Sequence, residues 1–166
     1  MNEEKIFIGV DPGLSGAVAV IDSTEVRTWL IPLVRSVKRN EIDCVALAKL
    51  ISEATNKRLA CCCCELVGAR PGQGVVSMFR FGEASGLVRG ICYGLSIPVV
   101  LVTPQTWKKT ILAGFDWKGR KAASVEYCQA RYPHLNLLPT KRSRKPHDGM
   151  ADAVCMAERC RLMYAQ

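Results

Sequence analysis

The sequence predicts one α/β domain over residues 1–166, with a five-stranded mixed sheet flanked by helices. Length is the first reason, since 166 residues suffice for one ordinary core and are too few for two. The second is a set of five short apolar runs, each closed by a turn residue or an acid, as buried strands are. The third is that longer segments with apolar residues at helical spacing follow the last three of these runs.

Residues 5–10 form the most apolar run and stop at Asp11-Pro12-Gly13, the pattern of a central strand closed by a turn. Residues 17–21 are apolar again and pair with the first run as a hairpin, and residues 26–31 give a third strand that Pro32 ends. Asn40 is placed to cap a helix reaching residue 54, with Ile42, Val45, Ala46 and Leu50 on its inner face. The fourth strand, 59–64, ends at Glu65, and the fifth covers 97–102. Between them lie a glycine-rich loop, 67–76, and a helix over 77–95 in which Gly82, Gly86, Gly90 and Gly94 recur every fourth residue. Each glycine costs about 1 kcal/mol of helix stability relative to alanine, so this bare face predicts a closely packed backbone neighbour. A short helix opens at Pro104, and a basic amphipathic helix covers 118–132 with Ala122, Val125, Cys128 and Tyr132 inward. A last helix starts near His147.

No apolar run approaches the roughly 20 residues of a membrane span. The acidic start, Met1-Asn2-Glu3-Glu4-Lys5, lacks the basic-then-apolar layout of a signal peptide, so a cytoplasmic location is expected. The nine cysteines are odd in number and four are consecutive, which is no disulfide framework. Cys61 and Cys64 are spaced as a C-x-x-C but lie on a strand, where residues three apart face opposite ways. They are expected as small, reduced core residues. The net charge of +8 has a sharper meaning, because residues 104–145 hold ten Lys/Arg against Asp116 and Glu126 while the rest balances at 13 of each sign. Such a segment is either a surface that meets a polyanion or a solvated basic face.

Asp11 and Glu65 end the two most apolar strands, and Asp148 and Asp152, four apart in a helix, share a face. Two strand ends and one helical turn converge at a sheet edge, where such carboxylates repel unless cations neutralise them. Mg²⁺ suits a set of hard oxygen donors. Each acid has an ordinary alternative: Asp11 as a turn initiator, Glu65 in solvent, Asp148 against a helix dipole, Asp152 on an exposed helical face. Their joint placement is what points to a metal site.

Gly9-Val10-Asp11-Pro12-Gly13-Leu14-Ser15-Gly16-Ala17 resembles the first-strand motif of RuvC-type Holliday-junction resolvases, a family of the RNase H-like superfamily. The stretch from Phe81-Gly82 to Gly90 resembles their glycine-rich helix. Thr103-Pro104-Gln105-Thr106-Trp107-Lys108-Lys109 and His147-Asp148-Gly149-Met150-Ala151-Asp152-Ala153 are closest to the branch with the chloroplast resolvases and related bacterial and phage proteins. The resemblance covers nearly the whole chain. It implies an RNase H-like fold and a homodimer that resolves four-way DNA junctions in recombination and repair. Cleavage would be by symmetric paired nicks, with Mg²⁺ as cofactor and Mn²⁺ able to substitute. It assigns metal binding and catalysis to Asp11, Glu65, Asp148 and Asp152, and an assisting role to Lys108 and Lys118. Several RuvC proteins separate the last two ligands by three positions; here Gly149 stands at that place, and His147 is the alternative ligand.

DNA contacts are expected from Arg70 and Gln73 in the glycine-rich loop, from Phe79, and from Lys109, Arg120, Lys121, Lys141 and Arg142 in the basic segment. Phe79 and Phe81 are placed to stack on an opened base. The glycine helix, with Leu87, Val88, Ile91 and Leu95 beside its bare face, is the expected dimer interface. Two other functions stay open: an RNase H-like nuclease of structured RNA, and a non-catalytic module that binds branched DNA.

Overall fold

In the computed structural model, which describes residues 5–37, 39–66, 68 and 72–164, the first apolar run becomes β1, Ile6–Asp11. β2 (Ala17–Ile21) runs antiparallel to it, and β3 (Val26–Leu30) antiparallel to β2. A small hairpin, β4 (Leu33–Arg35) with β5 (Asn40–Ile42), stands outside the main sheet. Helix α1 (Cys44–Thr55) leads into β6 (Ala60–Glu65), and α2 (Val75–Gly94) into β7 (Val99–Val102). Three helices follow: α3 (Pro104–Ile111), α4 (Ala123–Arg131) and α5 (Asp148–Tyr164). The order across the sheet is β3-β2-β1-β6-β7, with β1, β6 and β7 parallel, which is the expected five-stranded mixed sheet.

Strand alternation divides the core into two layers. Phe7, Ala17, Ala19, Cys61 and Cys63 face α3, α4 and α5. Ile6, Ile8, Val10, Cys62 and Cys64 face α1 and α2. The cysteine run therefore feeds both layers, and all nine thiols are free. One position sets how tightly α5 sits on the sheet. A Cβ on Gly9 would lie 2.0 Å from the carbonyl oxygen of Ala153 and 2.2 Å from the backbone nitrogen of Ala157, so only glycine permits this crossing.

Three sequence expectations are corrected. Asn40 does not cap a helix; it pairs with Arg35 in the hairpin, and Asp43 caps α1 by accepting the Ala46 N–H at 2.9 Å. The later start turns Leu47, Ile51 and Ala54 inward and leaves Val45 81% exposed. The basic helix starts at Ala123 instead of residue 118, because Gly119 at φ 72° and an Arg120 N–H bond to Trp117 close a turn there, with Ala122 exposed. Finally, Cβ atoms on Gly82, Gly86, Gly90 and Gly94 would meet nothing within 4 Å, so among the described residues nothing packs on the bare face. Val88 is buried in this chain's own core, with Ile91 and Leu95 packed against it, and only Leu87 of that set is exposed. Among the described residues no helix is long and apolar enough to cross a membrane.

Candidate metal centre at the sheet edge

β1 and β6 are parallel neighbours with Val10 opposite Cys64, so Asp11 and Glu65 leave the sheet side by side at its carboxyl end. That end is where open α/β sheets gather functional groups. The α5 crossing at Gly9 then brings the first turns of α5 to Asp11. A Cβ on Gly149 would stand 2.9 Å from Asp11 Oδ2 and 3.0 Å from the Ser15 carbonyl oxygen. Position 149 therefore faces the Asp11 carboxylate with almost no space for a side chain, which is the physical counterpart of the four-residue acid spacing.

Asp11, Asp148 and Asp152 line one cavity of ≈ 510 Å³ together with Ser15, Lys108, Lys121 and His147. Burial pushes the Asp11 carboxyl up to about 8, helped by the negative charges of Glu65 and Asp152 and opposed by Lys108. Burial likewise lifts Asp152 to about 6, opposed by the Ser124 hydrogen bond and Lys108 and helped by Glu65 and Asp148. Glu65 is thus close enough to act on both, and Lys108 faces the acids as expected. Carboxylates held in this condition are stabilised by a divalent cation, and their hard oxygens match Mg²⁺ or Mn²⁺. The donor chemistry fits a metal. Among the described residues, however, no three His, Cys, Asp or Glu side chains close on one point. Asp148 is exposed at the rim. His147 accepts the Met150 N–H on Nδ1 at 3.4 Å and so caps α5 while lining the cavity.

Two side chains that sequence reasoning missed hold the acids. The fully buried Trp107 donates its indole N–H to Glu65 Oε1 at 3.1 Å. The Ser124 hydroxyl donates to Asp152 Oδ1 from the first turn of α4. Trp107 stands in the motif that carries the resemblance, but neither its bond to Glu65 nor that of Ser124 to Asp152 is signalled by sequence spacing. Trp107→Phe keeps an aromatic ring and deletes only the N–H; it is expected to weaken Mn²⁺ binding roughly tenfold, as is Ser124→Ala. Paramagnetic Mn²⁺ titration checks this, and unchanged affinity in both variants removes them from a positioning role.

The remaining expected contacts are scattered. Lys121 lines the cavity, whereas Lys118 does not and is exposed in the turn before α4. Arg120 is engaged by Glu126 at 2.5 Å and by Asp116 at 3.9 Å. Lys109, Lys141, Arg142 and Gln73 are exposed, and Phe79 is 68% exposed at the head of α2. Arg70 lies outside the described residues.

No protein-family model matches the chain, and no curated protein matches it. Solved structures do match it. A Thermus thermophilus RuvC structure is 19% identical, with 96% of this chain and 95% of that chain covered at a TM-score of 0.55. T. thermophilus RuvC in complex with a Holliday junction substrate is 17% identical, with 97% and 94% covered at a TM-score of 0.57. At such identities the likeness is one of fold, and it extends over nearly the full length of both chains. This chain is folded as RuvC is, in the RNase H-like manner.

Proposed function

We propose that the chain is a divalent-metal-dependent endonuclease that resolves four-way DNA junctions as a homodimer. The observation that supports this is one cavity at the sheet edge lined by Asp11, Asp148, Asp152 and Lys108, with Glu65 near enough to act electrostatically on Asp11 and Asp152. A RuvC structure of the same fold holds a Holliday junction substrate, which favours branched DNA over a small anion. Asp11, Glu65 and Asp152 would hold Mg²⁺ or Mn²⁺, completed by Asp148, with His147 as the alternative. A divalent ion held there would supply Lewis-acid activation of water and charge neutralisation for phosphodiester hydrolysis.

The chain's own residues do the rest. Lys108, with Lys121 on the same cavity wall, offsets negative charge that builds on the phosphate. Lys118, Lys109, Lys141 and Arg142 lie beyond the cavity, where phosphate contacts of the DNA arms position without specifying sequence. Paired nicks need two sites related by symmetry, and the open glycine face of α2 suits a second copy. Phe79 and Tyr93, 68% and 58% exposed, extend that helix surface.

The test combines sedimentation with a cleavage assay. The protein is expected to sediment near twice 18.3 kDa and, in Mg²⁺, to cut a labelled four-way junction by symmetric paired nicks while sparing linear duplex. Gly86→Leu is expected to give monomers and unpaired nicks. Preferential cutting of RNA or RNA–DNA hybrid would move the chain to RNA processing, and junction binding without cutting would make it a binding module.

A further inference from the structure

The core holds thiols in contact with thiols. Cys62 meets Cys92, and Cys128 meets Cys155. The Cys61 sulfur stands 3.2 Å from that of Cys160, and Cys63 bonds to the same partner. Contact alone does not make a reactive pair, because a thiol has to ionise and an oxidant has to reach it. Cys62, Cys92, Cys128 and Cys155 are sealed in the core at 0% exposure. The Cys92 hydrogen bond and burial hold the Cys62 thiol up, and burial and Cys128 hold up Cys155. Cys61 differs on both counts. It lies near the start of β6, away from Glu65 at the other end, and keeps 7% of its surface open. The Cys160 hydrogen bond draws its thiol below the ordinary value, with help from the Lys5 ammonium and against burial. Lys5 is held there by donating from Nζ to the Tyr164 carbonyl at 3.3 Å, at the end of α5. Cys160 is fully buried, and its bonds to Cys61 and Cys63 keep it protonated.

A disulfide places its sulfurs about 2.05 Å apart, so this pair is roughly 1 Å of side-chain movement from bonding. We infer that Cys61 and Cys160 are a peroxide-responsive pair that forms an internal disulfide and clips α5 to β6. The Cys61 thiolate attacks one oxygen of hydrogen peroxide, the O–O bond breaks, and hydroxide departs, leaving a sulfenic acid. The Cys160 sulfur then attacks the Cys61 sulfur, and its proton leaves with the sulfenic hydroxyl as water. Each sulfur gives up one electron, and the peroxide takes both. The bond closes a span of 99 positions. It joins the strand that ends at Glu65 to the helix that carries Asp148 and Asp152, so the last helix is held shut while oxidant is present. A reducing environment reopens it. The pair stands independently of the nuclease reading.

Thiol counting tests the pair. The half-buried Cys44 is first replaced by alanine, so that its own oxidation is not counted. The folded Cys44→Ala chain is treated with hydrogen peroxide, then unfolded, and its free thiols are alkylated and counted by intact mass. Its eight thiols are expected to fall to six, and dithiothreitol to restore eight. Cleavage after Arg159 is expected to give the Cys160 fragment joined to the one that holds Cys61–Cys64. With Cys61→Ala or Cys160→Ala added, all seven remaining thiols are expected to persist, whereas Cys63→Ala still loses two. Oxidation is expected to raise the unfolding midpoint by about 10 °C, as a clip over so long a loop provides. A count that stays at eight, a joined fragment without Cys160, or an unchanged midpoint overturns the inference. So does a Cys61→Ala chain that still loses two thiols, or a Cys63→Ala chain that loses none. The joined fragment comes from a chain with both cysteines in place, so it decides the matter even where a core variant folds poorly.

Discussion

Asp11→Asn is expected to abolish Mg²⁺-dependent junction cleavage and, in the same molecule, to make the metal-free protein more stable at alkaline pH. The loss of activity is expected to exceed about 100-fold, or ~2.7 kcal/mol of barrier. Retention of more than about a tenth of the wild-type rate, a loss under ~1.4 kcal/mol, would sink the assignment. The stability change follows from proton linkage. Asp11 titrates at about 8 in the folded chain against an ordinary 3.8, so the folded state holds its proton more tightly than the unfolded state. Its contribution is complete below an ordinary carboxylate pKa and is lost as pH rises through 8. Asp152, raised to about 6, adds to the same decline at the acidic end of the window. In EDTA the wild type should therefore lose stability between about pH 4 and pH 8, and Asp11→Asn should recover on the order of 2 kcal/mol at pH 8.5. Mg²⁺ should restore the wild type alone. Thermal unfolding at pH 5 and 8.5, with EDTA or Mg²⁺, separates these outcomes.

Gly9→Ala is expected to cost the fold more than any substitution at the acids. The added methyl would fall 2.0 Å from one backbone atom of α5 and 2.2 Å from another. Backbone cannot rotate aside as a side chain can, so α5 has to lift from β1 and open the layer that Phe7, Cys61 and Cys63 fill. The expected loss is above about 4 kcal/mol, enough to unfold a domain of ordinary stability. Circular dichroism on heating measures it. A midpoint within a few degrees of the wild type would mean that α5 is not seated on β1 as described.

What the sequence disclosed depended on how local the cause was. β1, β2 and β6 were legible because continuous apolar runs bounded by Asp11, Gly16 and Glu65 have no other use. The acids were legible for the same reason, as charges placed where only apolar residues belong. The hairpin was not: residues 33–42 have neither strand alternation nor a tight turn motif, and Asn40 mimics a helix cap one turn before the real one at Asp43. The holders of the acids were also hidden. The Trp107–Glu65 and Ser124–Asp152 bonds join residues 42 and 28 positions apart, and only tertiary packing brings them together. The glycine period of α2 was visible, but a bare face does not say what covers it, and among the described residues nothing does.

On the proposed function, the seating of α5 would also set when the protein becomes able to cut. During synthesis β1 emerges first and α5 follows every other described element. Until α5 clears the ribosome, Asp11 and Glu65 wait without Asp152 and Asp148, and the sheet face carrying Phe7, Ala19 and Cys63 lacks its main cover. On that reading a nascent chain would be both inert towards DNA and in need of protection from aggregation. Closure of α5 over Gly9 would complete the proposed site and cover the exposed face together.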